Sequence, residues 1–236
     1  MPKVLLVLSA ADKWTLRDGS THPTGFWAEE FVAPYTLFTE AGWTVTVATP
    51  GGRRPTVDRL SLSLRGGVTP GKIKEMRAAL DRLAPVLNSP TDLDTVDVAD
   101  YDAVFYSGGH GPMEDLAVDE ASGALLTEAV NSGKPLALLC HAPAAMLAAR
   151  NDDGTWPFVG FSMTALSNVE ERINPFGWKA PWLLEDRLVE AGADYSKALL
   201  PLRPHIVEDR NLLTGQNPAS SAPLAERLIA RVDAQG

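Results

Sequence analysis

The sequence predicts a three-layer α/β fold: a mostly parallel central sheet with helices on both faces and inserted lid segments. Three observations predict it. Short apolar runs bounded by polar residues recur along the chain, as in strands buried on both faces. Amphipathic helical stretches alternate with them. Glycine-rich turns follow the ends of the strands, where open α/β sheets place their sites.

The elements follow in order. Lys3–Ser9 reads as the first buried strand. Gly25–Ala41 reads as a helix, with Thr24 as N-cap and Gly42 as its stop. Trp43–Ala48 is a second strand, closed by Pro50, Gly51 and Gly52. Residues 53–70 are irregular, and Lys72–Val86 has helical spacing. Tyr101–Tyr106 is a third strand, ending at SGGHG (107–111), and Glu120–Asn131 is a helix stopping near Gly133. Pro135–Leu139 is a fourth strand, with a helix over Ala142–Ala149 after it. Beyond it come a strand at Phe161–Leu166, a helix at Pro181–Glu190, strands near His205–Val207 and Asn211–Thr214, and a final helix from about Ala222. The whole chain, 1–236, reads as one domain, with insertions near 10–24, 53–92 and 167–182.

Composition narrows the function. The net charge is -9 with no basic stripe, which argues against a nucleic-acid partner. The N-terminal run VLLVL is too short to span a membrane, and no small-residue cleavage site follows it. A cytoplasmic location is expected. Cys140 is the only cysteine, so no internal disulfide can form. No group of residues has the spacing of a dedicated metal site, and no cofactor is implied.

Chemistry concentrates at two strand ends. LALLCHAP places Cys140 and His141 on a sharp strand-to-helix turn, a geometry that presents a nucleophile above a sheet. Pro143 suits the first turn of the following helix, whose N-terminus is expected to lower the thiol pKa below about 8.5. In SGGHG, glycines allow close backbone approach. The N–H groups of Gly109 and His141 are candidate oxyanion donors, and Gly108 and His110 of the same turn are candidates for oxyanion or substrate binding. His110 and His205 are candidates to face the pocket, and His22 reads as a loop residue. Trp14, Trp27, Trp178 and Trp182 fall partly in the insertions and either wall a pocket or pack a core or interface.

KPLALLCHAPAAML, YDAVFYSGGHGPMEDL and TGQNPASSAP together resemble the ThiJ/PfpI family of the class I glutamine amidotransferase-like superfamily. The resemblance is nearest to its branch of glutathione-independent glyoxalases (glyoxalase III) and stress-induced holding chaperones, and it implies a flavodoxin-like sandwich. It places the nucleophile on Cys140 and the histidine on His141. The carboxyl beside the thiol falls on Glu30 of GFWAEEFVAP. Pro34 supports that position independently, because it cannot donate to the Glu30 carbonyl and should loosen the helix there. The acid that orients the histidine falls on Glu170 or Glu171, and the pattern favours Glu171.

The resemblance implies conversion of a small 2-oxoaldehyde such as methylglyoxal to a 2-hydroxy acid, D-lactate, through a cysteine hemithioacetal, by a cofactor-free homodimer. Removal of early glycation adducts would use the same residues. A cysteine amidase, peptidase or glutaminase is the second reading. A glutaminase has a glycine-flanked nucleophile and an acid two residues after a remote histidine, whereas here Leu139 and His141 flank the thiol and Glu208 follows His205 by three. A holding chaperone or thiol redox sensor without turnover is the third.

Overall fold

The computed structural model describes residues 1–235. Successive side chains of a strand point to opposite faces, and strand β1 (Lys3–Val7) shows this directly. Leu5 and Val7 enter one core, while Val4 and Leu6 enter the other. Strands β2 (Thr44–Thr49), β3 (Thr91–Asp92), β4 (Ala103–Tyr106), β5 (Leu136–Leu139), β6 (Ile206–Asp209) and β7 (Leu212–Gly215) complete a seven-stranded sheet in the order β6-β7-β5-β4-β1-β2-β3. Only the edge strand β6 runs antiparallel, paired with β7 in a hairpin. The rest pair in parallel. This is the mostly parallel, flavodoxin-like sheet expected.

Helices α1 (Ala28–Glu40), α2 (Pro70–Leu87) and α6 (Ser221–Asp233) cover one face. Helices α3 (Glu120–Asn131) and α5 (Leu184–Glu190) cover the other. A short helix, α4 (Asn168–Glu171), lies in the late insertion. The chain runs outward from β1 to β2 and β3, then reverses through β4, β5 and β7. The switch point therefore lies at the carboxyl ends of β1 and β4, the crevice where such sheets bind ligands.

Several elements differ from the sequence expectation. Helix α1 starts at Ala28, and Thr24 does not cap it. Gly25 and Phe26 are instead extended: the Phe26 N–H donates to the Thr56 carbonyl and Thr24 Oγ1 donates to Asp58. The segment 53–70 thus docks on the helix entrance, and Ser61 Oγ accepts the Ala28 N–H. The expected insertion 53–92 ends in β3, a true sheet strand. The expected strand Phe161–Leu166 shrinks to Ser162–Met163, which pairs with Asp194–Tyr195 outside the main sheet. The first insertion forms a hairpin, Lys13–Thr15 against Thr21–Pro23. After Cys140 the chain forms 3₁₀ turns over Ala142–Ala148 rather than an α-helix.

Gly25 tests the docking of segment 53–70. A Cβ there would lie 1.9 Å from the Thr56 carbonyl oxygen. Gly25→Ala must push that segment away, and overpacking of this kind costs about 1–3 kcal/mol or more. The thermal midpoint should fall by at least about 2–4 °C, with limited proteolysis opening first within residues 53–70. An unchanged midpoint would show that the segment is not part of the cooperative structure.

Candidate active site

Cys140 follows β5 with φ = 60°, a left-handed conformation uncommon for a residue with a side chain. Two neighbours hold this elbow. Its N–H donates to the Gly215 carbonyl (2.8 Å), and its carbonyl accepts from Leu166 N–H (2.9 Å). The thiol is 4% exposed, at a cavity of about 200 Å³.

Glu30 comes from the first turn of α1 and is completely buried. Its Oε2 accepts the Gly108 N–H at 2.9 Å. Its Oε1 finds no nitrogen or oxygen donor and is left to the Cys140 thiol. Pro34 explains a second contact. Helix α1 runs through the proline, and the Ser107 hydroxyl donates to the Glu30 carbonyl at 2.9 Å, in place of the missing N–H. The strand-end turn is thereby tied to the helix that carries the acid. Gly108 is shaped for this role, since a Cβ there would lie 2.6 Å from Glu30 Oε2 and 2.9 Å from Cys140 Cβ. With its N–H committed to Glu30, Gly108 anchors the acid and is not an oxyanion donor, contrary to expectation.

Gly109 and His141 do line the cavity, and neither backbone N–H donates to another group among the described residues. Both N–H groups are therefore available to an acceptor at the cavity. Gly109 has φ = 102°, and a Cβ would strike the Gly25 carbonyl oxygen at 2.3 Å.

Glu171 joins two histidines. Its Oε2 pairs with His141 Nε2 at 2.7 Å and its Oε1 with His110 Nε2 at 2.9 Å, all three side chains being buried. This leaves His141 Nδ1 facing the Cys140 sulfur at 3.4 Å. The choice between Glu170 and Glu171 is decided by local capping. Ser167 and Glu170 form a capping box at the start of α4, with both reciprocal bonds present. That S-x-x-E signal was readable in SNVEE and leaves Glu171 as the acid turned toward the histidines. Glu170 also accepts from Leu202 N–H, Gln216 and Asn217.

Burial alone would raise the Glu171 pKa, but the two histidines outweigh it and hold the carboxyl well below its ordinary range. Burial pulls both histidines down, and at His110 the Glu171 carboxylate reverses this and raises the pKa. His141 stays lowered, by burial and then by the charge of His110. The imidazole facing the thiol is therefore kept neutral, with Nδ1 free to accept a proton.

The thiol departs from expectation. Burial pushes Cys140 well above the usual thiol range, and Glu30 beside it adds to the effect. The 3₁₀ turn over Ala142–Ala148 that follows the thiol does not offset this. Burial likewise lifts Glu30 to about 8, against the pull of its hydrogen bonds from Cys140 and Gly108. Thiol and carboxyl form one coupled titrating unit.

His205 pairs with Ser196 and does not line the cavity. His22 stacks on Phe176 at 3.8 Å. Trp27 lines the cavity, Trp14 is buried and stacks on His110 at 4.8 Å, and Trp178 is exposed. His110, His141 and Glu171 bring metal-type donor atoms within 4.8 Å of one another, but those atoms already pair among themselves. Ser107, Arg65 and Leu202 were missed as site residues. For Ser107 the signal was Pro34, whose absent N–H requires a substitute donor. Arg65 and Leu202 carry no local motif.

Residues 22–231 match the family model described as the DJ-1/PfpI family. The chain is 31% identical over 228 residues to glutamine amidotransferase-like class 1 domain-containing protein 1 of Bos taurus, spanning 97% of this chain and 93% of that one. It is 29% identical over 240 residues to the protein/nucleic acid deglycase HchA of Staphylococcus aureus, spanning 96% and 78%. The crystal structure of glyoxalase III from Candida albicans has a TM-score of 0.81 and 25% identity, covering 97% of this chain and 96% of that one.

The buried acid makes a pH-dependent prediction. An ordinary carboxyl titrates at 4.5, and Glu30 in the fold at about 8. The folded state thus holds a proton that the unfolded chain releases. This contribution to stability is complete below pH 4.5 and is lost as pH rises through about 8. Glu30→Gln cannot ionise, so its stability should gain on wild type across that window. Urea midpoints of the two proteins measure it, and a constant difference from pH 4.5 to about 8 would show that Glu30 titrates as it does in water.

Proposed function

The chain belongs to the DJ-1/PfpI family, and from that premise we propose that it is a glutathione-independent glyoxalase. Its substrate would be a small 2-oxoaldehyde such as methylglyoxal, and its product the corresponding 2-hydroxy acid. The observation that carries this reading is one small cavity in which a thiol meets a neutral imidazole and two free N–H groups, with a carboxyl lifted to about 8 buried directly behind the thiol.

His141 Nδ1 takes the Cys140 proton as sulfur attacks the aldehyde carbon, and the Gly109 and His141 N–H groups hold the oxyanion. His141 returns the proton to that oxygen, giving a hemithioacetal. Glu30 then removes the C1 proton, leaving an enediolate, and delivers it to C2, while His141 Nδ1 carries the hydroxyl proton from O1 to O2, which gives the 2-hydroxy thioester. A carboxyl with a pKa near the working pH is suited to both halves of this transfer. The resulting thioester is hydrolysed by one water, which frees the thiol and releases the 2-hydroxy acid. Glu171 holds the His141 ring and tautomer throughout.

The likeness to the HchA deglycase supports a second reading, removal of early glycation adducts by the same residues. A cavity of about 200 Å³ favours a free small molecule over an adduct carried on a macromolecule.

Methylglyoxal consumption without glutathione, with D-lactate as readout, tests the proposal. Cys140→Ala should abolish turnover. Glu30→Gln should remain folded, keep a reactive thiol and lose about 10²-fold or more in kcat. Glu29→Gln should behave as wild type, because Glu29 is half-buried with its carboxyl near Lys72, whereas Glu30 is fully buried and bonded to the Gly108 turn behind the thiol. Equal activity of the two glutamine variants would remove Glu30 from the mechanism.

A further inference from the structure

The same cavity holds a charge that the proposed reaction with a neutral dicarbonyl does not use. Arg65 lines it together with Cys140 and His141. Every carboxyl near the cavity is committed. Glu170 accepts from Ser167, Leu202, Gln216 and Asn217. Glu171 lies between two histidines, and Glu30 is bonded to Gly108 beneath the thiol. Arg65 by contrast makes no hydrogen bond or ion pair with another residue among those described, and it is exposed.

Its placement is built into the backbone. It occupies the 3₁₀ turn Leu64–Gly66, where Ser63 Oγ accepts the Gly66 N–H at 3.3 Å and Gly67 closes the turn at φ = 78°. Gly66 is pressed so closely on the neighbouring loop that a Cβ would lie 2.1 Å from the Leu60 carbonyl oxygen and 3.3 Å from the Trp27 ring. Of the other walls, Trp27, Leu166, Ile173, Leu202 and Pro218 are uncharged, and the one carboxylate, Glu170, has its oxygens turned to the Ser167, Leu202, Gln216 and Asn217 donors. Because the chain carries a net charge of -9, its general field repels anions, so a guanidinium at this cavity acts as a local selector.

We infer that Arg65 is a specificity residue that selects carbonyl substrates bearing a carboxylate. An arginine fork matches a carboxylate in two hydrogen bonds, which gives orientation as well as attraction. The substrate class is then a small 2-oxoaldehyde with an acid group at its far end. This inference rests on Cys140 as the reacting group, and it deepens the proposed function.

Two measurements test it. The first needs no turnover. Cys140 displaces iodide from anionic iodoacetate and from neutral iodoacetamide, and the ratio of the two rates is compared with that of a free thiol. Wild type should favour iodoacetate relative to the free thiol. Arg65→Ala should lower the ratio about tenfold or more, and Arg65→Lys should restore part of it. Arg172→Ala is the control, because Arg172 lies over the Trp178 ring at 5.4 Å and does not line the cavity. The second compares kcat/KM for 4,5-dioxopentanoate, which gains one water to become 2-hydroxypentanedioate, with that for methylglyoxal. The wild-type preference for the anion should collapse in Arg65→Ala, chiefly through KM. If the alkylation ratio depends on Arg65 but neither dicarbonyl is consumed, the glyoxalase reading fails and the anion selector stands. An alkylation ratio unaffected by Arg65→Ala overturns the selector, whatever the turnover.

Discussion

A carboxyl group with no countercharge is buried against the only thiol of the chain, and the rest of the site is arranged around that contact. Glu30 has no cation beside it, so desolvation favours its protonated form. Its anchors are neutral donors: the Gly108 N–H on the carboxyl and the Ser107 hydroxyl on the backbone carbonyl. Both come from the turn after β4. Cys140 comes from the elbow after β5, the neighbouring strand. The acid reaches across from α1, so three sheet connections meet within hydrogen-bonding distance of one another. A proton placed anywhere in this unit alters the charge that every other member experiences.

The second electrostatic arrangement faces the thiol from the other side. Glu171 is as buried as Glu30 but has two imidazoles, and its state is the opposite: ionised rather than protonated. The surroundings of the two acids thus set opposite states: one carboxyl is held protonated, while the other pairs with both imidazoles. Glu171 raises the pKa of His110, while burial and then the neighbouring His110 lower that of His141, which keeps it neutral toward the sulfur. The inserted segments close this side. Trp14 stacks on His110, and Gly177 packs so closely on the Glu171 backbone that any larger residue would strike its carbonyl oxygen.

The insertions determine what can reach the thiol. Segment 53–70 docks on the entrance of α1 and places Arg65 at the cavity, and the late insertion supplies Ile173 and Asn174. Leu202, on the next loop, stands at φ = 63° with its N–H held by Glu170. The thiol and its buried acid thus come from the core elements, while much of the cavity wall comes from the inserted loops, the segments in which function varies most readily on one scaffold.

The alternation of buried strands and helices was legible in the sequence because each strand is apolar on both faces and each helix carries an apolar stripe. These are local patterns and need no knowledge of partners. Cys140 at a strand end and the adjoining SGGHG turn were legible for the same reason. Glu171 over Glu170 was also encoded locally, in the Ser167–Glu170 capping box. The start of α1, the shortened strand at Ser162–Met163 and the 3₁₀ turns after Cys140 were decided by tertiary structure. There, docking of 53–70, pairing with Asp194–Tyr195 and the tight elbow override propensity. The protonation of the site was decided there too. A pKa depends on how much water is removed and which charges remain nearby, and no residue type or spacing states either. The expected low-pKa thiol became a raised one for that reason: the sequence placed a turn after Cys140, and folding buried the sulfur against an acid.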